Sequence, residues 1–472
     1  MGFVIYDLET TGLNKRFDQI LQFAAVHTDA NLEVQEQVEF EGRLRPHILP
    51  SPGALHVTGS HYANLTDPLR PSYDAMLGDI YGTMKRWTPS MFVGFNSISY
   101  DEEVLRQAFY ESLRAPIYVT NRDGNSRGDL LKLARVVGTL QPEVLKTTRG
   151  PDGRRVFRLA DLAQANGIHP GRSHTASADV ATTLALCRLI AAEAPILWSS
   201  FMRFSNKAEV LSFIAERDAF AVFEFKRGVQ DVHPVTVIGF KPADKNVRYC
   251  LDLTADLAAL RRMSPAELMI EIGKPDGPIL RMKANGSPIL AELWELDQPL
   301  LGDFTEADLE ATAANVRGDT AFVQRLVTAA IASERVWPKS KYVEFQIYEG
   351  FIQDWDEDVC RRFHAAAWKD RPALIDRFQD PRLKKLARRL IYFERPDVLD
   401  PDIRGQIDRA IWGRLRGNEP DAPGRSYATA LQEFDALAAE IQFVSPSLAS
   451  YRDHLRAQLV APPEPLGRLA ST

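Results

Sequence analysis

The chain opens on Phe3-Val4-Ile5-Tyr6, an apolar run that reads as a buried strand and ends in Asp7-Leu8-Glu9-Thr10-Thr11-Gly12. Over the first 200 residues such short runs alternate with helical spacing. Strands are predicted near Phe3 to Tyr6 and Phe92 to Phe95, and helices near Asp101 to Tyr110 and Val180 to Ala192. That alternation predicts an α/β unit. From about Phe220 to Leu290 the pattern changes to short strands at Phe220 to Phe225, His233 to Phe240, Arg248 to Leu253 and Ile279 to Lys283. Turn residues such as Lys274-Pro275-Asp276-Gly277 and Asn285-Gly286-Ser287-Pro288 punctuate them, so a small antiparallel barrel or sheet is expected. Beyond Thr305 the spacing is helical, at Asp319 to Arg335, Asp356 to Trp368, Asp380 to Glu394, Asp400 to Arg416, Ser426 to Ile441 and Ser447 to Leu459. Asp or Ser at several of these starts is a suitable N-cap. The Pro-rich end, Ala461 to Thr472, reads as a frayed tail.

A length of 472 residues allows several cores, and a net charge of -6 means that any polyanion-binding surface is a local patch. Three widely spaced cysteines, Cys187, Cys250 and Cys360, fit neither a zinc site nor a disulfide framework. They point to a reducing cytoplasm. No apolar stretch approaches a membrane span, and no signal-peptide core precedes Asp7.

The first candidate chemistry lies at the end of the opening strand. Side chains alternate along a strand, so Asp7 and Glu9 share a face about 7 Å apart, a costly pairing unless cations lie between them. Taken alone, such a pair also describes a solvated strand end. Asp101 follows the strand ending in Gly94-Phe95-Asn96 and opens a helix, where Ser99 and Glu102 have capping-box spacing; by itself it could simply answer the helix dipole. His174 and Asp179 flank the start of another helix that Thr175 or Ser177 can cap. On one continuous helix they would point about 140° apart, so convergence requires His174 on the preceding loop and Asp179 in the first turns. Four carboxylates and an imidazole suit two-metal phosphodiester hydrolysis: hard oxygen ligands for Mg²⁺ or Mn²⁺, and a base titrating near neutrality.

The ordered set Asp7-x-Glu9 with Thr-Thr-Gly, then Asp101, then His174-x4-Asp179 resembles the DEDD-type 3′-to-5′ exonuclease superfamily in its histidine-bearing branch. The resemblance implies a ribonuclease H-like fold, two metal ions held by Asp7, Glu9, Asp101 and Asp179, and His174 as general base. The continuation resembles the bacterial exodeoxyribonuclease I family, through Gly94-Phe95-Asn96, Tyr100 to Val104, Asn125-Ser126-Arg127, Phe157-Arg158-Leu159, Ala165 to Ile168 and Tyr348 to Phe351. That implies an exonuclease domain at 1–200, an SH3-like β-rich domain with a helical extension at 201–340, and a helical domain at 341–472. It further implies processive hydrolysis of single-stranded DNA from the 3′ end to 5′-mononucleotides, in DNA repair or recombination. Thr10 and Thr11 would then lie beside the terminal nucleotide, Arg127 and Arg158 on the backbone upstream, and Asn96 among the nucleic-acid contacts.

Nine basic against four acidic residues between Asn121 and Arg158 are compatible with a phosphate track, and equally with a solvated face. Arg382 to Arg389 is a second basic stretch, which an amphipathic helix also explains. Family members dock the acidic tail of single-stranded DNA-binding protein; Gln141 and Ser200 stand where basic and aromatic members of that surface would help. The motifs do not separate DNA from RNA, since sugar discrimination depends on the 2′-OH. An RNA 3′-exonuclease and a non-catalytic nucleic-acid-binding protein therefore remain alternatives. A monomer without membrane association is expected.

Overall fold

The computed structural model describes residues 1–169, 175–226, 229–335, 338–419 and 422–461. Strand β1 (Gly2–Thr10) is central in a five-stranded mixed sheet with β2 (Ile20–Thr28), β3 (Val34–Glu41), β4 (Ser90–Gly94) and β5 (Ser126–Asp129), in the order β3-β2-β1-β4-β5. β2 is antiparallel to β1 and β3, whereas β4 and β5 run parallel to β1. The parallel step from β4 to β5 contains the Asp101–Glu111 helix, as a crossover must. This is the ribonuclease H-like arrangement.

A period of two decides which core each β1 side chain enters. Phe3 and Ile5 lie on one face, in a core with the Leu130–Leu140, Ala176–Glu193 and Pro195–Phe204 helices. The Trp198 ring sits 5.6 Å from that of Phe3. Val4, Tyr6 and Leu8 lie on the other face. Asp7 and Glu9 continue the Phe3 and Ile5 face toward the Ala176–Glu193 helix.

The even-numbered face is covered by the C-terminal helices. Val4 and Tyr6 belong to the same core as Phe363, Leu390, Leu448 and Tyr451. Hydrogen bonds cross this junction from Tyr451 Oη to Pro50 O (2.8 Å), Tyr110 Oη to Val343 O (3.1 Å) and Gln107 Nε2 to Glu344 O (3.1 Å). A second, antiparallel sheet is ordered Ile279–Lys283, Asp244–Asp252, Val229–Lys241, Phe220–Lys226, Ile289–Ala291. Its Ala221, Phe223 and Ile289 join the odd-numbered core.

The strands and C-terminal helices fall close to where the sequence puts them, with three adjustments. Ser99 and Glu102 do not form a capping box: Ser99 Oγ donates to Asn96 Oδ1 at 2.7 Å, and Glu102 turns inward to Arg106 at 2.5 Å. The last helix starts at Pro446, with Ser445 rather than Ser447 accepting the Leu448 amide. The helix expected over Asp356 to Trp368 spans Asp354–Ala365. Residues 462–472, most of the expected tail, lie outside the described residues. Among the described residues no single helix is long and apolar enough to cross a membrane.

Candidate active site

The Ala176–Glu193 helix begins at Thr175, whose hydroxyl accepts the Ala178 amide, and Asp179 lies in its first turn. Val180, Leu184, Cys187 and Ile190 pin the helix into the core below the sheet. That packing carries Asp179 over the end of β1. Carboxylate oxygens of Asp7, Glu9 and Asp179 all lie within 4.8 Å of one another. His174 precedes the cap in sequence and lies outside the described residues.

Asp101 opens the Asp101–Glu111 helix behind Asp7, 5% exposed. Burial raises its carboxyl to about 8, with Asp129 and Glu9 adding to the effect; amides of its own residue and Leu8 oppose it. Burial, then Asp101, Asp179 and Glu9, push Asp7 well above the ordinary carboxyl range. Glu9 is raised to about 7 by burial and by Asp179. Desolvation and mutual repulsion leave the Asp7, Glu9 and Asp101 carboxylates in need of positive charge. A hard divalent cation supplies it, so the donor set fits a metal centre.

The loops around this cluster are held by residues the sequence does not single out. Asp129 caps the Leu130–Leu140 helix and also accepts the Asn96 amide at 2.9 Å, shaping the turn before Asp101. Its place directly before an apolar helix was the readable signal. Tyr100 Oη donates to Gly12 O at 2.5 Å and lies 2.6 Å from Thr10 Oγ1, joining the turn before Asp101 to the loop after Glu9. Arg425 reaches the same loop from the C-terminal segment and pairs with Asp18 at 2.6 Å. No local pattern announces a partner 407 positions away.

The expected nucleic-acid contacts divide. Asn96 is exposed with a positive φ of 63°, and the Arg158 side chain is 79% exposed beside Asp161. Thr10 is mostly buried, and its hydroxyl donates to Gly12 O at 2.8 Å. Thr11 and Arg127 are engaged within the protein. Thr11 is fully buried; its hydroxyl donates to Asp18 at 2.8 Å and accepts the Gln19 amide at 2.9 Å, so it braces the loop. Arg127 is 7% exposed and pairs with Glu102, while its Nη2 donates to Asn285 O at 2.7 Å. With Lys132, which donates to Gly286 O at 2.8 Å, it fastens the turn of the second sheet to the first. Its two Nη groups are thereby committed to protein.

Residues 4–187 match the Exonuclease family, and residues 341–445 match the Exonuclease I C-terminal domain. Fold and carboxylate cluster therefore define a nuclease of the exonuclease class, an enzyme that uses divalent metal. With both domain matches on one chain, it resembles the exonuclease I proteins. It is 27% identical over 403 residues to exodeoxyribonuclease I of Escherichia coli (strain K12), covering 81% of this chain and 83% of that one. To the Haemophilus influenzae exodeoxyribonuclease I it is 28% identical over 377 residues, covering 76% and 78%. The fold matches E. coli exonuclease I in complex with a dA16 oligonucleotide at a TM-score of 0.84 and 23% identity, over 97% of this chain and 98% of that one. It matches exonuclease I crystallised as an SSB/exonuclease I complex with an inhibitor at 0.80 and 24%, over 97% and 98%.

Proposed function

We propose that this enzyme hydrolyses single-stranded DNA processively from its 3′ end, releasing 5′-mononucleotides, in the service of DNA repair or recombination. The observation that carries the reading is the convergence of Asp7, Glu9 and Asp179 within 4.8 Å, with buried Asp101 behind them. These four carboxylates would hold two Mg²⁺ ions, for which Mn²⁺ could substitute; when bound, the ions would supply Lewis-acid stabilisation of the attacking and leaving oxygens. Tyr100 and Asp129 keep the loop after Glu9 and the turn before Asp101 in register before substrate arrives. His174, next to the helix cap, takes the proton from the attacking water, since a neutral imidazole is the available base near pH 7.

Thr10 and Asn96 lie at the terminal nucleotide and Arg158 on the backbone upstream. Phosphate contacts bind without sequence preference, as an enzyme that consumes any strand requires. Three domains, at 1–200, 201–340 and 341–472, enclose the strand, and the two family matches falling inside the first and third support that division. The working partner is single-stranded DNA-binding protein and the working form a monomer. The compartment is the cytoplasm, in keeping with three free, buried cysteines. End-labelled single-stranded DNA, duplex DNA and RNA compared in Mg²⁺ and in EDTA test the reading. Stepwise loss from the 3′ end of single-stranded DNA alone, abolished by EDTA, is expected; equal rates on RNA or blunt duplex would overturn the substrate.

A further inference from the structure

A cavity of about 330 Å³ lies between the nuclease sheet and the C-terminal helices, behind the loop that leaves β1, and none of the four catalytic carboxylates lines it. Arg45 does, and it is 7% exposed. Its Cζ is 4.8 Å from the Tyr73 ring centroid and 5.2 Å from that of Phe393, which fixes the plane of the guanidinium. Yet the guanidinium makes no hydrogen bond among the described residues. Nε and Nη2 are buried without a partner, and Nη1 has only Glu111 at 3.8 Å, beyond hydrogen-bond reach.

The other carboxylates lining the cavity are already neutralised. Glu344 is held by Arg389 at 2.6 Å and Arg414 at 2.8 Å, and Asp18 and Glu433 by Arg425 at 2.6 and 2.8 Å. The Glu111 carboxylate accepts from Gln107 Nε2 at 2.7 Å and stands 3.8 Å from Arg45 Nη1, so it leaves the Arg45 donors unused. A buried guanidinium with idle donors costs free energy that an oxoanion recovers through paired, charge-assisted hydrogen bonds.

We propose that this cavity is a binding site for a nucleoside 5′-monophosphate, with Arg45 as the cation for its phosphate and the Phe17 and Tyr73 rings beside its base. Orthophosphate alone would leave most of the volume empty, whereas small-molecule pockets begin at about 300 Å³. Mononucleotide is what the enzyme releases, and this inference rests on that reading of its function.

The test is calorimetric titration of the full-length protein with dTMP, without DNA and in EDTA, which removes metal-dependent binding at the catalytic carboxylates. One dTMP per chain is expected, with thymidine and inorganic phosphate each at least tenfold weaker. Arg45→Lys, which keeps the charge and loses the planar fork, should weaken dTMP at least tenfold. Photocrosslinking of wild-type protein with 5-iodo-dUMP reads the site even if that variant fails to fold, and should label Phe17 or Tyr73. No binding in EDTA, equal affinity for inorganic phosphate or thymidine, unchanged affinity in a folded Arg45→Lys protein, or crosslinks confined to β1 would overturn the proposal. Failure of the functional reading shows separately, as absence of DNA hydrolysis with Mg²⁺.

Discussion

Arg127 and Glu102 form an ion pair in which both side chains are nearly inaccessible, at 8% and 1% exposure. The pair joins β5 to the Asp101–Glu111 helix, and Arg127 Nη2 reaches the Asn285 turn of the second sheet. Arg127→Ala leaves Glu102 buried with Arg106 as its one cation, so it should destabilise the protein by about 3 kcal/mol, as removal of one partner from a buried pair does. Urea unfolding measures this, and unchanged stability would contradict the bracing role.

Arg158 is the contrasting arginine. Its side chain is exposed beside Asp161, so Arg158→Ala should leave the unfolding midpoint almost unchanged. It should weaken single-stranded DNA binding for every sequence and lower the salt slope by about 0.7. Binding isotherms between low and moderate salt measure both.

The loop after Glu9 offers a test by size. A Cβ on Gly12 would lie 2.6 Å from Arg425 Nη2 and 2.7 Å from Asp18 Oδ2. Gly12→Ala should therefore push the Arg425–Asp18 pair apart and displace the loop beside the carboxylates. Catalysis should fall at least tenfold, in kcat more than in KM, because a small misplacement of positioned groups is costly. Full activity in this variant would separate the loop from the chemistry.

How much of this could be read from the sequence depends on how local each signal is. The C-terminal helices are legible because Asp380, Asp400 and Ser426 cap them within three residues. The carboxylates are legible because each sits at the end of a strand or the start of a helix. β3 is not, since Val34-Gln35-Glu36-Gln37-Val38-Glu39-Phe40-Glu41 reads as polar, and only its pairing with β2 makes it a strand. Thr11 and Arg127 look like ligand contacts in sequence; Asp18, Asn285 and the packing that buries them are tertiary facts. Arg425 and Arg45 belong to the same class.

The raised carboxyls give a pH signature in metal-free protein. Groups whose folded pKa lies above the unfolded value add stability that is complete below about pH 4 and is lost as pH rises through the folded values. For Glu9 and Asp101 those are about 7 and 8. Wild-type melting temperature in EDTA should therefore fall relative to Asp101→Asn between pH 5 and about 8, and Mg²⁺ should narrow the difference. A difference independent of pH would mean that Asp101 titrates normally.

The central claim is that the carboxylates at the end of β1 perform hydrolysis at a 3′ terminus. Its most direct test is single-turnover digestion of 5′-labelled single-stranded DNA by wild-type and Asp7→Ala protein in Mg²⁺. The wild-type enzyme should yield a ladder shortening from the 3′ end, and the variant, still folded, should be slower by on the order of a thousandfold. An Asp7→Ala rate within tenfold of wild type would contradict the account.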